Sequence, residues 1–212
     1  MTTANARLHL MKPASAPAPD TEPGLTSVAV IDLDDGRLAH PATHGLRRGD
    51  TAPRSRQEAE NELVGFVCDL LQAPEATVGT VAAGLVESAL MVLRAARDAR
   101  PSLKRPTVVL PHSAHPAWFA AAAAVGVTPL VAPVAADGSV QVGPMTALIR
   151  DDAVLVVASA PSYTHGTVDP VAWIAAAASA REVPLHVDAS NGGWALAYAE
   201  LAGRVRLPWG FA

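Results

Sequence analysis

The chain has 212 residues, of which 50% are hydrophobic, 17% are charged and 4% are aromatic. Disordered chains combine low hydrophobicity with high net charge, so this composition excludes a wholly disordered protein. The net charge of −4 and the pI of about 5.9 argue against nucleic-acid binding, which needs a basic surface. Cys68 is the single cysteine, which excludes an intramolecular disulfide framework; with no signal-peptide pattern, we expect a reduced, cytoplasmic compartment.

The N-terminal quarter of the chain has few signs of regular structure. Residues 1–26 are rich in Ala, Pro, Ser and Thr and predict a mobile tail. Residues 27–33 form a short apolar run that could be a strand, and residues 34–55 are polar, with Gly and Pro and no periodicity. We therefore divide the chain into a tail with an irregular segment, residues 1–55, and a folded domain, residues 56–212.

The folded domain alternates between helical patterns and short apolar runs. Helices are predicted from apolar spacings of three and four, and strands from β-branched runs. The predicted helices span residues 56–72, 83–100, 116–125, 143–149 and 168–181, and the predicted strands span residues 106–110, 128–132, 153–159 and 184–188. Apolar strands without internal alternation, separated by helices, indicate an α/β/α layered domain with a mostly parallel sheet.

One apolar stretch, residues 117–136, has no charge and about the length of a membrane span. Gly126, Pro129 and Pro133 interrupt it. We interpret it as a buried helix, a turn at Gly126 and a short strand, and predict no membrane span.

Polar residues concentrate just after the predicted strands. These segments are His112 to His115, Ser159 to Gly166, and Asp188 to Gly193. Ligands of parallel α/β sheets bind beyond the carboxyl ends of the strands. The sequence therefore predicts a binding site at this edge of the sheet.

Four segments, in this order, resemble one family: GTVAAGLVES, PHSAHPAW, VASAPSYTHGTVDPV and PLHVDASNGGW. They are similar to pyridoxal-phosphate enzymes of fold type I, in the branch of group II decarboxylases and sphingosine-phosphate lyases. The resemblance covers about residues 56–212 and is most specific over residues 158–194. It implies the large domain of such an enzyme, with pyridoxal 5'-phosphate as cofactor, an amine or amino acid as substrate, and a homodimer as the intact form.

The resemblance implies a role for three residues of the strand-end segments. Asp188 matches the aspartate that faces the pyridine nitrogen, and a carboxylate there favours the protonated ring, which is the electron sink. His115 matches the histidine that stacks on the cofactor ring. Ser162 lies near a hydroxyl contact to the ring oxygen, with Ser159 as an alternative, and a plain turn role for either stays open.

A metal site is the alternative for the same histidines. His112 and His115 could share one face of a turn, with His186 and Asp188 as further ligands. Zinc sites use such residues, but no HExxH motif is present and the cysteine is remote. We therefore predict no metal and interpret His186 as a structural residue of its strand.

The phosphate-binding segment departs from the family. The family has Thr-Ser-Gly-Gly-Thr-Glu-Ser at a helix N-terminus, where backbone N–H groups hold the phosphate. Here Gly84, Glu87 and Ser88 match, but Leu85 replaces the second glycine and Val86 replaces the hydroxyl residue. Gly84 and Val86 thus occupy cofactor-binding positions, and the lost hydrogen bond, about 1.5–3 kcal/mol, predicts weakened binding.

The second departure concerns the lysine that forms a Schiff base with the cofactor in this family. The only lysines are Lys12 and Lys104, and neither follows Asp188. We expect a chain truncated before that lysine. Two interpretations stay open: a truncated carbon–carbon lyase or decarboxylase, inactive by itself, or a non-catalytic remnant that acts as a binding or dimerisation module or has no function.

Overall fold

In a computed structural model, the described residues are 5–9, 28–32, 55–71, 73–74, 77–201 and 203. They form strands and helices that we number in chain order. The strands are β1 (Asn5–His9), β2 (Val28–Asp32), β3 (Val78–Ala82), β4 (Thr107–Pro111), β5 (Thr128–Ala132), β6 (Ala153–Ser159) and β7 (Leu185–Asp188). The helices are α1 (Arg56–Leu70), α2 (Leu85–Asp98), α3 (Pro116–Val125), α4 (Val142–Ala147), α5 (Val171–Ser179) and α6 (Gly193–Leu201).

The strands form one sheet in the order β3-β2-β1-β7-β6-β4-β5. All neighbouring pairs are parallel except those of β1, which runs antiparallel to both β2 and β7. Every residue of β4, β6 and β7 is buried, as expected for parallel strands covered on both faces. The predicted mostly parallel α/β fold is confirmed.

Helices cover the sheet on two faces, each over its own apolar cluster. Val156 of β6 packs in the cluster that contains Ile174 of α5. Val157, the next residue of β6, packs in the cluster that contains Trp118 of α3 and Leu93 of α2. Because successive side chains of a strand point to opposite faces, β6 is the centre of a helix–sheet–helix sandwich.

Helix α3 has a defined start and end. Pro116 is its first residue, where the missing N–H costs nothing, and His115 is its N-cap. Gly126 ends it in the left-handed conformation, at φ 70°. The helix, the Gly126 turn and β5 confirm the interpretation of residues 117–136, and no helix of the described chain is long and apolar enough to cross a membrane.

Three elements were missed in the sequence. No strand was predicted before residue 27, and this is wrong at Asn5–His9, where β1 pairs with β2. β3 and α6 were not predicted either. Each is nine residues or shorter, and β3 has Gly79 within it, which weakens the strand pattern. The rest of the predicted tail and irregular segment, and the end of the domain after residue 203, lie outside the described residues.

Candidate functional site

Parallel strands bring the predicted site segments to one edge of the sheet. β4, β6 and β7 run in the same direction, so the residues that follow them meet at their carboxyl ends. Ser159 lies beside Asp188 in the strand register, and the amide of Ala160 donates a hydrogen bond to the backbone carbonyl of Asp188 at 2.9 Å. The segments containing Ser162 and Asp188 are therefore tied together by the backbone.

Asp188 is a buried carboxylate that ends β7, with 4% of its surface exposed. The indole Nε1–H of Trp118 donates to its Oδ2 at 2.8 Å. The backbone amide of Ser190 donates to its Oδ1 at 3.0 Å, and the Ser190 hydroxyl donates to the same oxygen. Hydrogen bonds to a carboxylate favour its charged form, so these neutral donors stabilise the ionised side chain of Asp188.

His115 is half-buried at the start of α3. Its Nδ1 accepts a hydrogen bond from the amide of Ala117 at 3.1 Å, which holds the ring in the N-cap position. The ring meets the Tyr163 ring edge-on, with the centroids 4.4 Å apart. Because the Trp118 amide donates to the His115 carbonyl, the first turn of α3 carries both the His115 ring and the indole that reaches Asp188.

Ser162 is fully buried in the turn after β6. Its hydroxyl shares a hydrogen bond of 2.9 Å with Thr167 Oγ1, and its amide donates to the Thr167 carbonyl at 2.7 Å. The amide of Gly166 donates back to the Ser162 carbonyl at 3.0 Å. Of the two roles that the sequence leaves open for Ser162, these contacts favour the turn role.

Asp169 connects the end of the same loop to strand β6. Its Oδ2 accepts the amide N–H of Ser159 at 2.7 Å, and 2% of the residue is exposed. Burial raises the pKa of the Asp169 carboxyl to about 6, although the hydrogen bond from Ser159 acts in the opposite direction. Asp169 therefore fastens the loop after β6 to Ser159, the last residue of that strand.

The N-terminus of α2 lies at the same edge of the sheet, because β3 runs in the direction of β7. Gly84 is the N-cap, with an extended backbone and no side-chain hydrogen bond. Val86 is 50% exposed and has no hydroxyl to offer. The Glu87 carboxylate accepts the amide N–H of Ala83 at 2.6 Å, so a negative charge already lies at this helix end.

The structure does not assemble the alternative metal site. His186 is fully buried, with its ring 4.5 Å from that of Trp118, whereas His112 is exposed. Among the described residues there is no group of three His, Cys, Asp or Glu side chains that could hold a metal ion. His186 lies inside β7 and packs in the core.

Sequence reasoning missed Trp118, Ser190 and Tyr163. A signal for Trp118 was available, because a tryptophan in an Ala-rich, buried helix needs an acceptor for its indole N–H. Ser190 stands two residues after Asp188, the spacing at which an aspartate accepts hydrogen bonds from the following backbone. Tyr163 is 52% exposed in a loop, and nothing in the sequence indicates its contact with His115.

Residues 67–194 match the sequence profile of the family described as aminotransferase class-V. The chain belongs to the aminotransferase class-V family. Sphingosine-1-phosphate lyase 1 of Mus musculus is 32% identical over 192 residues, 90% of this chain and 33% of the relative. A probable L-aspartate decarboxylase of Haloarcula marismortui is 37% identical, over 85% of this chain and 51% of the relative.

Solved structures of this branch share the fold of the chain. The sphingosine-1-phosphate lyase of Burkholderia pseudomallei superposes with a TM-score of 0.61 at 30% identity, over 69% of this chain and 36% of that one. These similarities confirm the predicted lyase and decarboxylase branch of the pyridoxal-phosphate enzymes. The chain spans about a third to a half of the length of these relatives.

The family points to pyridoxal 5'-phosphate as cofactor, and the described residues suit one end of it. An ionised, buried carboxylate suits a protonated pyridine nitrogen, and the hydrogen bonds from Trp118 and Ser190 to Asp188 favour that form. The phosphate end suits it less well, because Val86 offers no hydroxyl and Leu85 replaces the second glycine of the family segment. The ring-binding half of the site is therefore the better formed.

Proposed function

We propose that this domain is the ring-binding part of a pyridoxal-phosphate site in a carbon–carbon lyase, a decarboxylase or a sphingosine-phosphate lyase-like enzyme that acts on an amine or amino acid. The observation that carries the proposal is Asp188, a buried carboxylate at the carboxyl end of a central parallel strand that accepts hydrogen bonds on both oxygens. The similarity to lyases and decarboxylases supports it. As parts of the same proposal, the intact protein is a cytoplasmic homodimer.

Asp188 holds a proton on the pyridine nitrogen. A pair of opposite charges about 4 Å apart at an effective dielectric of about 20 is worth roughly 4 kcal/mol. That is about three pKa units in favour of the protonated ring. When bound, the cofactor supplies an electron sink for the bond that breaks in the substrate.

His115 orients the ring from the start of α3. Its Nδ1 accepts the Ala117 amide, so the imidazole plane is fixed before any ligand arrives. Tyr163 meets the imidazole edge-on and limits its movement from the side of the β6 loop. An imidazole face held in this way can pack on an aromatic ring without an ordering cost.

Phosphate binding is weak in this proposal. Gly84 and Val86 offer backbone N–H groups of the α2 N-terminus, which attract anions. Leu85 stands where the family segment has its second glycine, and Val86 stands where it has a hydroxyl, so this turn offers the phosphate less. The ring contacts of Asp188 and His115 therefore carry most of the affinity.

The described residues offer no lysine to the site. Lys104 is exposed in the loop before β4, at the amino ends of the strands and so opposite to Asp188. Lys12 lies outside the described residues. We therefore expect no turnover from the 212 residues alone. A non-catalytic binding or dimerisation module is the second candidate, favoured by the changes at Leu85 and Val86 at the phosphate end.

Binding of pyridoxine 5'-phosphate to the full chain tests the proposal, because this analogue has no aldehyde and cannot attach to lysines. We expect saturable binding by calorimetry that weakens about tenfold or more in Asp188→Asn and in His115→Ala, since each loses a direct ring contact. His112→Ala is the matched control, because His112 is exposed three residues earlier, and it should bind like the wild type. Absent binding, or equal binding by Asp188→Asn, would contradict the proposal.

A further inference from the structure

We infer that Trp118 is a positioning residue for the site: its indole N–H, together with the Ser190 hydroxyl, keeps Asp188 ionised and fixes the direction of its carboxylate. The inference deepens the proposed function and rests on it. It assigns to Trp118 a role that the side chain performs through Asp188, without touching the ligand.

The geometry joins two elements that are 70 residues apart in the chain. Trp118 lies on α3 and donates through Nε1–H to Asp188 Oδ2 at 2.8 Å, and both residues are buried. Ser190 donates to the other oxygen, Oδ1. Each carboxylate oxygen thus has its own side-chain donor, which fixes the carboxylate plane.

The indole has little freedom to turn away. Trp118 is fully buried in the apolar cluster that includes Leu93 of α2 and Leu155 of β6. Trp118 also contacts the ring of His186, on the strand that carries Asp188, with the ring centroids 4.5 Å apart. Packing at this density fixes side-chain rotamers, so the donor is in place before a ligand binds.

The chemistry of the donors matters as much as their position. A lysine or arginine beside Asp188 would stabilise the carboxylate but cancel its charge toward a pyridinium. Indole N–H and serine O–H are neutral, so they stabilise the anion and leave its full charge available to the ring nitrogen. A buried carboxylate without such donors would favour its protonated form, which cannot hold a ring proton.

The same turn of α3 also links this carboxylate to the stacking ring. His115 caps the helix, and its carbonyl accepts the Trp118 amide at 3.0 Å. A displacement of the start of α3 would therefore move the His115 ring and the Asp188 donor together. Through Trp118, the same turn of α3 that carries the His115 ring also holds the Asp188 carboxylate.

The hydrogen bond can be observed first without a ligand. The chain has four tryptophans, so a proton–nitrogen NMR spectrum of the indole groups has few peaks, which Trp→Phe variants assign. We expect the Trp118 peak to move in Asp188→Asn and on acidification, while the peak of Trp173, which is 73% exposed, stays. A Trp118 peak that ignores Asp188→Asn overturns the inference.

The pH profile of pyridoxine 5'-phosphate binding then tests the positioning role. In Trp118→Phe and in Ser190→Ala, the pH at which binding is half lost on acidification should rise by about one unit, a tenfold change in proton affinity. Trp173→Phe is the matched control and should keep the wild-type profile. The other ionisable side chains of the site, His115 at the start of α3 and His186 two residues before Asp188, are retained in every variant.

The outcomes separate the inference from the proposed function. The inference alone is overturned if wild-type binding depends on Asp188 but neither Trp118→Phe nor Ser190→Ala changes the pH at which binding is half lost. Wild-type binding that is absent or independent of Asp188 overturns the proposed function and the inference with it. If Trp118→Phe does not fold, Ser190→Ala decides, because it removes one donor oxygen and leaves the core intact.

Discussion

Asp169 and Asp188 are two buried carboxylates at the same edge of the sheet, and the protein treats them differently. Asp188 receives donors on both oxygens, two of them from side chains. Asp169 receives the Ser159 amide on Oδ2 and a second backbone hydrogen bond from Val140. Burial raises the pKa of Asp169 to about 6. The donors around Asp188 favour a charged carboxylate, whereas Asp169 serves to anchor the loop after β6.

Replacing Asp169 with Asn should flatten the pH dependence of stability. The carboxyl has a pKa of 3.8 as a free group and about 6 in the fold, so the folded state favours its neutral form. The stability it contributes is complete below pH 3.8 and is lost as the pH rises through about 6. We expect the free energy of unfolding of the wild type to fall by about 3 kcal/mol across this range, and Asp169→Asn to lose this slope.

Urea unfolding between about pH 4 and pH 7 measures this difference. Asp151→Asn is the control, because Asp151 is exposed, and it should keep the wild-type slope. If the free energy of unfolding has the same pH dependence in Asp169→Asn and wild type, burial of Asp169 does not cause the loss of stability between these pH values.

At the level of single residues, the sequence could indicate Asp188 and His115 but not their support. Both belong to short motifs at strand ends, and such motifs carry the resemblance to the family. The partner of Asp188, Trp118, is 70 residues away, and its contact depends on how α3 packs over the sheet. Long-range pairs of this kind follow from tertiary packing, which no local pattern encodes.

At the level of elements, the loop between β6 and α5 is docked on a small hairpin. Val134 and Val140 form an isolated antiparallel bridge, with Gly138 in the connection between them. Thr167 of the loop donates through Oγ1 to the Gly138 carbonyl at 3.2 Å. Because this loop also carries Tyr163, which contacts His115, the hairpin helps to place one wall of the site.

Gly138→Ala should destabilise the chain more than Gly126→Ala does. Both glycines have positive φ, 83° and 70°, so each substitution carries a backbone cost of about 1 kcal/mol. At Gly138 a Cβ would also lie 2.2 Å from Cγ of His165, while at Gly126 nothing lies within 4 Å. We expect an additional loss of about 1–3 kcal/mol for Gly138→Ala in urea unfolding. Equal losses would mean that the loop shifts freely on the hairpin.

The elements themselves differ in how well the sequence predicts them. β6 and β5 have the predicted bounds, Ala153–Ser159 and Thr128–Ala132, because each is an apolar run that begins and ends sharply. β1, Asn5–His9, mixes polar and apolar residues, and its strand character comes from pairing with β2. A strand that depends on its neighbours leaves little trace in a single sequence.

At the level of the whole molecule, the candidate site and Lys104 lie at opposite edges of the sheet. The residues that follow β4, β6 and β7 form the candidate site, and α2 and α3 both begin beside it. Lys104 precedes β4 and so lies at the other edge. Parallel strands transmit this polarity through the whole domain, so no rearrangement of a side chain could bring Lys104 to Asp188.

Pyridoxal 5'-phosphate with a reducing agent should therefore label the chain without selectivity. Its aldehyde condenses with any accessible amine, and borohydride makes the bond permanent. We expect mass spectrometry to find the label spread over Lys12, Lys104 and the N-terminal amine, in amounts that Asp188→Asn leaves unchanged, because Lys104 lies at the edge of the sheet opposite to Asp188. A single, stoichiometric adduct on Lys104 that is lost in Asp188→Asn would contradict the separation of the two edges. A Lys104→Arg chain is the control that identifies the background at the other amines.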